Sequence, residues 1–183
     1  MEPLFDLGDG ASLRPVQAGD ADELDALVEA NREYLARWMP WAPAQTREST
    51  RDFIDTALAQ QAAENGFQAV LVVDGAIAGV FGYHGIDRVH HRTTLGYWLA
   101  EAAQGRGLAT RAVAALIDHA FGEWGLHRVE IRAAVDNAPS RAVCERAGLT
   151  FEAELREAER VGGRYHDLAV YSVLDAEWPQ AQS

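Results

Sequence analysis

The sequence has few features that would crosslink a protein or insert it into a membrane. Its one cysteine, Cys144, cannot form an internal disulfide bond. No apolar run approaches the ~18 residues that a membrane-spanning helix requires. The first residues lack the basic and apolar regions of a secretory signal. We therefore expect a cytoplasmic protein that has no membrane partner.

Positive charge is also scarce. The chain has 28 acidic and 16 basic residues, which gives a net charge of −12. This balance argues against a surface that binds nucleic acid directly. It favours cationic partners such as amines, although an excess of acidic residues is equally explained by solubility.

Patterns typical of metal sites are missing as well. His90 and His91 are adjacent and would diverge on an extended chain, and no His-x-x-x-His or Cys-x-x-Cys spacing occurs. We expect no metal cofactor. Cys144 follows Val143 on a predicted short helix and is expected to be a small buried residue rather than a nucleophile.

The length of 183 residues fits a single domain, 1–183, with a core from about 11 to about 178. Two local signals are strong: Asp74-Gly75 predicts a two-residue hairpin turn, and Gly125 predicts a left-handed helix end. Alternating hydrophobicity predicts strands at 11–16, 67–73, 76–83, 93–99, 128–135, 149–157 and 164–174. Helical periodicity predicts helices from Asp20, whose side chain is expected to act as the N-cap, to Leu35, from 46 or 49 to about 65, from 108 to 121 and from 137 to 147.

A glycine-bearing loop between a strand and a helix is the most informative stretch. Gly105 and Gly107 allow a tight turn whose N–H groups point together toward an anion. The helix that follows adds the positive end of its dipole, and Arg106 and Arg111 add full positive charge. We expect this loop to hold a pyrophosphate.

Two common phosphate-binding motifs do not fit the loop. Thr110 stands where the dinucleotide fingerprint requires its third glycine, and that fingerprint should follow the first strand of a βαβ unit. No Gly-Lys-Ser/Thr follows the loop, so it is not a Walker motif either.

The segment Gln104-x-x-Gly107-x-Ala109 resembles the acyl-CoA signature of the GNAT superfamily of N-acetyltransferases. Residues 136–140, Asp-Asn-Ala-Pro-Ser, and residues 147–152 resemble segments of its ribosomal-protein acetyltransferase branch, typified by RimJ and RimL. The resemblance extends from about residue 13 to about residue 178.

The resemblance implies an α/β fold: a mixed, mostly antiparallel sheet of six to seven strands, splayed between its fourth and fifth strands, with helices on both faces. It also implies acetyl-CoA as cosubstrate. The pantetheine arm would contact the backbone, rather than the side chains, of Tyr97, Trp98 and Leu99, with the Leu99 N–H nearest the thioester carbonyl. The implied coenzyme residues are Tyr97, Trp98, Leu99, Gln104, Gly105, Arg106, Gly107, Leu108, Ala109, Thr110 and Asn137.

The catalytic residues implied by the resemblance are Ser140 as general acid and Glu159 as general base, with Asn137 holding the pantetheine. Each has a simpler explanation. Asn137 is a good helix cap, Ser140 can bond a free backbone group, and Glu159 lies in a charged run typical of a solvated strand edge. His84, just past the predicted third strand, is the rival base because imidazole titrates near neutral pH.

The acceptor is the least determined part. Trp38 and Trp41 lie in a proline-rich loop that, by the resemblance, walls an amine pocket with His84, although such indoles often pack against the core. The branch resemblance implies the N-terminal amine of a basic ribosomal protein, and a homodimer is compatible with it. A small amine, an amino acid or an aminoglycoside is the alternative acceptor, and a catalytically silent CoA sensor is the alternative of another class.

Overall fold

The computed structural model describes residues 4–179, which contain eight strands and four α-helices. The strands are β1 (Phe5–Gly8), β2 (Ala11–Pro15), β3 (Gln68–Val73), β4 (Ala76–Asp87), β5 (Arg92–Leu99), β6 (Arg128–Ala134), β7 (Thr150–Val161) and β8 (Arg164–Leu174). The helices are α1 (Ala21–Leu35), α2 (Arg47–Ala62), α3 (Leu108–Gly122) and α4 (Ala138–Arg146). No helix within 4–179 is both long and apolar enough to cross a bilayer.

All eight strands form one sheet in the order β1-β2-β3-β4-β5-β6-β8-β7. Neighbouring strands are antiparallel except β5 and β6, which are parallel. The mixed, mostly antiparallel sheet is confirmed, but its strand count exceeds the six to seven expected. The additional strand is β1, which is four residues long and buries only Leu7, too short for a clear alternation.

The sheet is covered on both faces, as expected, because successive side chains of a strand point in opposite directions. On one face, Val80 packs with Leu24 of α1 and Ile54 of α2. On the other face, the next residue, Phe81, belongs to the same core cluster as Leu116 of α3. The larger core therefore lies under α3 and α4, and the smaller one lies under α1 and α2.

The predicted turns are confirmed by backbone geometry. Asp74 and Gly75 have φ angles of 51° and 87° and join β3 to β4 in a two-residue hairpin. Gly125 has φ of 58° after α3, and the Leu126 N–H donates back to Ala120 O at 3.1 Å.

Three local predictions need correction. The Asp20 side chain does not cap α1, because it accepts the Gln17 N–H at 2.8 Å and pairs with Arg14 at 2.8 Å. β4 continues to Asp87, so His84 lies within this strand rather than beyond it. β7 continues to Val161 instead of ending near 157. Both strands continue beyond a shift in the register of their pairing. The alternation of apolar and polar residues in the sequence does not predict such a shift.

The predicted fourth and fifth strands are β5 and β6, and they do diverge. They pair only over residues 92–95 of β5 and residues 128–131 of β6. β5 then continues to Leu99 on β4, and β6 continues to Ala134 on β8. The cleft between them is the main irregularity of the sheet.

An aromatic cluster at one end of the sheet encloses His119 of α3. Its ring meets those of Phe5, Phe67 and Trp124 edge-on at centroid distances of 5.5, 5.5 and 4.7 Å. Burial lowers the pKa of His119 below its ordinary value of 6.5. The folded protein therefore favours the neutral imidazole.

Replacing His119 with Phe should make stability less dependent on pH. The stabilisation by the neutral ring is complete above pH 6.5 and is lost as the pH falls below that value toward the lowered pKa of the folded state. The free energy of unfolding is measured in urea at about pH 7.5 and about pH 5.5. Between these two values the wild type should lose more stability than the variant, and the difference should not exceed ~1.4 kcal/mol per pH unit. His90→Phe, at an exposed site, should keep the wild-type dependence. Equal losses in the wild type and His119→Phe would contradict this assignment.

Candidate active site

The loop before α3 has the backbone geometry expected of an anion-binding turn. Gly105 and Gly107 have φ angles of +73° and +71°, a region that L side chains rarely adopt. Gly107 is the N-cap of α3, and none of the described side chains caps this helix. The N–H groups of its first turn are consequently available to a ligand.

Helix α1 anchors this loop. The Glu101 N–H donates to Asn31 Oδ1 at 2.9 Å, and Gln104 Nε2 donates to the hydroxyl of Tyr34. The predicted residue Gln104 therefore has a partner within the protein. Its hydrogen bond connects the loop to the helix that walls the other side of the site.

The two arginines expected to add charge to the loop differ in their surroundings. Arg111 is engaged by Asp9 at 2.8 Å and also donates to Arg106 O at 3.5 Å. Arg106 is exposed and does not line the cavity beside the loop. The positive end of α3 therefore depends more on backbone N–H groups than on these side chains.

A cavity of about 420 Å³ lies against the loop and α4. It includes every predicted coenzyme residue except Arg106: Tyr97, Trp98, Leu99, Gln104, Gly105, Gly107, Leu108, Ala109, Thr110 and Asn137. Other lining residues were missed, among them Tyr34 and Met39, which come from α1 and its following loop. Arg146 was also missed, and its Nε donates to Thr110 Oγ1 at 3.4 Å. No sequence signal connects these separate segments.

The edge of β5 that faces the cleft exposes main-chain donors. The Ala100 N–H donates to Ala78 O at 2.8 Å on the β4 side. Because alternate residues of an antiparallel strand direct their N–H groups to opposite edges, those of Tyr97 and Leu99 point toward β6. Pairing with β6 ends at Leu95, so both N–H groups face the open cleft. An extended amide chain such as pantetheine fits this edge.

A second cavity, of about 760 Å³, lies on the face covered by α1 and α2. The predicted acceptor residues Trp38, Trp41 and His84 all line it, as does Glu159. Trp41 is 37 % exposed, and its ring meets that of Trp98 at 5.9 Å. Trp41 is therefore a wall of the cavity rather than a core residue.

Two facing glycines, Gly82 of β4 and Gly96 of β5, underlie the floor of the second cavity, and Gly96 itself lines it. A Cβ at residue 82 would lie 2.0 Å from Gln68 Oε1, and one at residue 96 would lie 2.2 Å from His84 Nε2. The side chains of Gln68 and His84 thus occupy the space that a larger residue would fill. Both line the cavity.

The two cavities share part of their lining where β5 and β6 diverge. The shared residues are Trp38, Met39, Tyr97, Trp98, Asn137 and Ser140. Asn137 Oδ1 accepts the Ser140 N–H at 3.3 Å, so Asn137 caps α4 whatever else it binds. Ser140 and Tyr97 both belong to this shared lining, and their hydroxyl oxygens lie 2.9 Å apart.

A bulge in β7 determines where Glu159 lies. Leu155 of β7 pairs with Leu168 of β8, and Glu159 of β7 pairs with His166 of β8. The two β7 residues are four positions apart, whereas their partners on β8 are only two positions apart. Glu157 sits in this bulge with φ of 50°, and its N–H donates to Asp167 Oδ1 at 2.7 Å. The bulge shifts Glu159 along the strand to the position that lines the second cavity.

The pKa values of the two candidate bases, Glu159 and His84, are shifted in opposite directions. Burial raises the pKa of Glu159, an effect that nearby His166 reduces. Burial and the positive charge of Arg132 lower the pKa of His84. A carboxylate with a raised pKa is a stronger base, and a histidine with a lowered pKa is a weaker one that is neutral at physiological pH. Both shifts are compatible with a role in accepting a proton.

Cys144 is buried in α4, which confirms the expectation for this residue. Burial raises the pKa of its thiol to about 12. The thiolate needed for nucleophilic attack is therefore disfavoured. Within residues 4–179, no group of three or more His, Cys, Asp or Glu side chains is arranged to hold a metal ion.

Comparison with known proteins agrees with this geometry. A family model described as an acetyltransferase (GNAT) domain matches residues 12–150. The chain belongs to this family. It is an acyl-CoA-dependent N-acetyltransferase, whose cosubstrate is acetyl-CoA. The match ends at the first residue of β7, so Glu159 lies outside it.

Individual relatives cover nearly the whole acetyltransferase. YdaF of Bacillus subtilis (strain 168), provisionally named a ribosomal N-acetyltransferase, is 37% identical over 169 residues, 91% of this chain and 92% of YdaF. The ribosomal-protein-serine acetyltransferase of Escherichia coli (strain K12) is 26% identical over 181 residues, 97% of this chain and 100% of the relative. The structure of RimL, a ribosomal L7/L12 α-N-protein acetyltransferase in complex with coenzyme A, has a TM-score of 0.88 at 26% identity, covering 92% of this chain and 96% of RimL.

Removing the Asp167 side chain should loosen the β7 bulge. Asp167→Ala removes the acceptor of the Glu157 N–H at an exposed site, where water can replace it in part, so the change should cost about 0.5 kcal/mol in the free energy of unfolding. Asp167→Asn keeps an oxygen acceptor and should cost less than half as much. Urea unfolding of both variants measures the difference, and equal stability of Asp167→Ala and wild type would show that the bulge does not need this bond.

Proposed function

We propose that this acetyltransferase acts on the N-terminal α-amine of a ribosomal protein, a cationic partner for an enzyme with a net charge of −12. The observation that carries the proposal is the shared lining at Ser140, where a cosubstrate cavity meets a separate cavity of about 760 Å³. That second cavity has room for the first residues of a polypeptide. The names of YdaF, the Escherichia coli serine acetyltransferase and RimL support the same acceptor class.

The acceptor must lose its charge before it can attack. An α-amine has a reference pKa of ~7.7–8.0, against ~10.4 for a lysine side chain, so near neutral pH it is deprotonated more readily. Glu159 lines the acceptor cavity, and burial raises its pKa. We assign Glu159 as the group that takes the proton from the amine, with His84 as the alternative.

Acetyl transfer then proceeds directly between the two cavities. The amine nitrogen forms a bond to the thioester carbonyl carbon, and the carbon–sulfur bond breaks. The N–H of Leu99 faces the cleft and is suited to the developing oxyanion. We assign Ser140 as the general acid that protonates the departing thiolate, and Asn137 as a group that both caps α4 and contacts the pantetheine arm.

We also infer that one domain, residues 1–183, carries the activity, because both cavities are lined by the same sheet. Action on a ribosomal protein implies a cytoplasmic enzyme. A homodimer and the absence of direct nucleic-acid binding stay predictions, which light scattering and RNA titration would measure.

An acceptor panel tests the proposed function. Thiol release and mass spectrometry should detect acetylation of a synthetic peptide with a free N-terminal serine. The same peptide with a blocked N-terminus and an internal lysine should react at least ~10-fold more slowly, because the lysine ammonium is harder to deprotonate. Preference for a polyamine, an amino acid or an aminoglycoside would support the small-amine alternative. Coenzyme binding without transfer to any amine would support the silent sensor.

Paired substitutions distinguish the two candidate bases. Glu159→Gln should lower kcat by about 10²-fold or more, because it removes the proton acceptor with little change in shape. His84→Gln should lower kcat by less than about threefold. Steady-state kinetics at saturating acetyl-CoA and peptide give both values. The reverse order would identify His84 as the base.

A further inference from the structure

The hydroxyl of Tyr97 is in contact with the candidate general acid. Its oxygen lies 2.9 Å from Ser140 Oγ and 3.3 Å from Ser140 O. Tyr97 belongs to β5, and Ser140 belongs to the first turn of α4 after β6. The contact therefore spans the cleft at the place where the two cavities share their lining.

The ring of Tyr97 is held in a fixed orientation. It stacks on Phe81 of the neighbouring strand, with ring centroids 5.1 Å apart and planes within 10°. Burial raises the pKa of the Tyr97 hydroxyl above its ordinary value, so the phenol keeps its proton across the physiological range. The Tyr97 hydroxyl is therefore held in place and protonated.

We propose that Tyr97 is a positioning residue, whose O–H donates to Ser140 Oγ and thereby directs the serine's own O–H toward the thioester. A hydroxyl has one proton and two lone pairs, so a serine oxygen that accepts from Tyr97 keeps its proton for another partner. A phenol is more acidic than an alcohol, and the 2.9 Å contact is shorter than the alternative bond to Ser140 O. The inference rests on the general-acid role proposed above.

The proton transfers balance without any further reactant. As the carbon–sulfur bond breaks, its electron pair remains on sulfur, and the serine proton forms the S–H bond. The hydrogen bond from Tyr97 stabilises the negative charge left on Ser140 Oγ. The proton that the acceptor nitrogen loses on becoming an amide nitrogen then restores the serine hydroxyl.

A double-mutant cycle tests the proposal with Tyr97→Phe, Ser140→Ala and the combined variant, assayed with acetyl-CoA and the peptide bearing an N-terminal serine. Tyr97→Phe keeps the ring on Phe81 and removes one oxygen. It should lower kcat about tenfold and leave the KM for acetyl-CoA unchanged. In the Ser140→Ala background, it should cause no further loss.

Tyr83→Phe is the matched control. Tyr83 lies on β4, and its hydroxyl donates to Leu116 O at 2.7 Å in the buried core. It lines neither cavity. This variant should lower the melting temperature while leaving kcat unchanged, which separates loss of a buried phenol from loss of the contact to Ser140.

Two results would overturn the positioning role while leaving the proposed function in place. One is a wild-type kcat for Tyr97→Phe when Ser140→Ala is impaired, and the other is an equal loss in both backgrounds. A wild-type kcat for Ser140→Ala would remove the general-acid role and the positioning role together. Absence of transfer to the peptide by the wild type would refute the proposed acceptor.

Discussion

The loss of pairing between β5 and β6 beyond Leu95 is the constraint on which the rest of the site depends. A continuous sheet would satisfy the N–H groups of Tyr97 and Leu99 with β6 and leave no space between them. Divergence frees those groups, moves the start of α4 away from β5 and connects the two faces of the sheet. Both cavities, and the contact between Tyr97 and Ser140, result from it.

Ion pairs between β6 and β7 stabilise the closed end of this cleft. Arg128 of β6 donates to both carboxylate oxygens of Glu152 in β7, at 2.7 and 2.6 Å, and to Glu130 at 2.9 Å. These bonds hold the pKa of Glu152 at about 2, well below its ordinary value. Ser172 of β8, between the two strands, bonds both Arg128 and Glu152. The strands are thus tied together where β5 and β6 still pair, while the other end stays open.

What could be predicted from the sequence was local. The Asp74-Gly75 turn and the cap at Gly125 follow from backbone preferences of a few residues, and the loop at Gly107 follows from its position before an amphipathic helix. β1 was missed because four residues on a sheet edge bury too little to produce a pattern. The bulge at Glu157 was missed because it depends on a bond to a residue on another strand.

The residues of the candidate site also differ in whether a local sequence pattern could identify them. Gly105, Gly107 and Ser140 belong to short motifs, so the resemblance to a family could reach them. Tyr97 was expected to contribute only its backbone, since the partner of its hydroxyl is 43 residues away in sequence. Arg146 is likewise remote from Thr110, at a sequence separation of 36 residues. Contacts of this kind exist only once the whole sheet is assembled.

The facing glycines at 82 and 96 determine which part of the site substitutions can reshape. The donor side relies mainly on backbone N–H groups, which survive most substitutions. The shape of the acceptor side depends on which side chains lie above two bare Cα positions. Exchanging Gln68 or His84 would remodel that floor and leave the donor machinery unchanged. The shape of the second cavity can therefore change while the loop before α3 keeps its geometry.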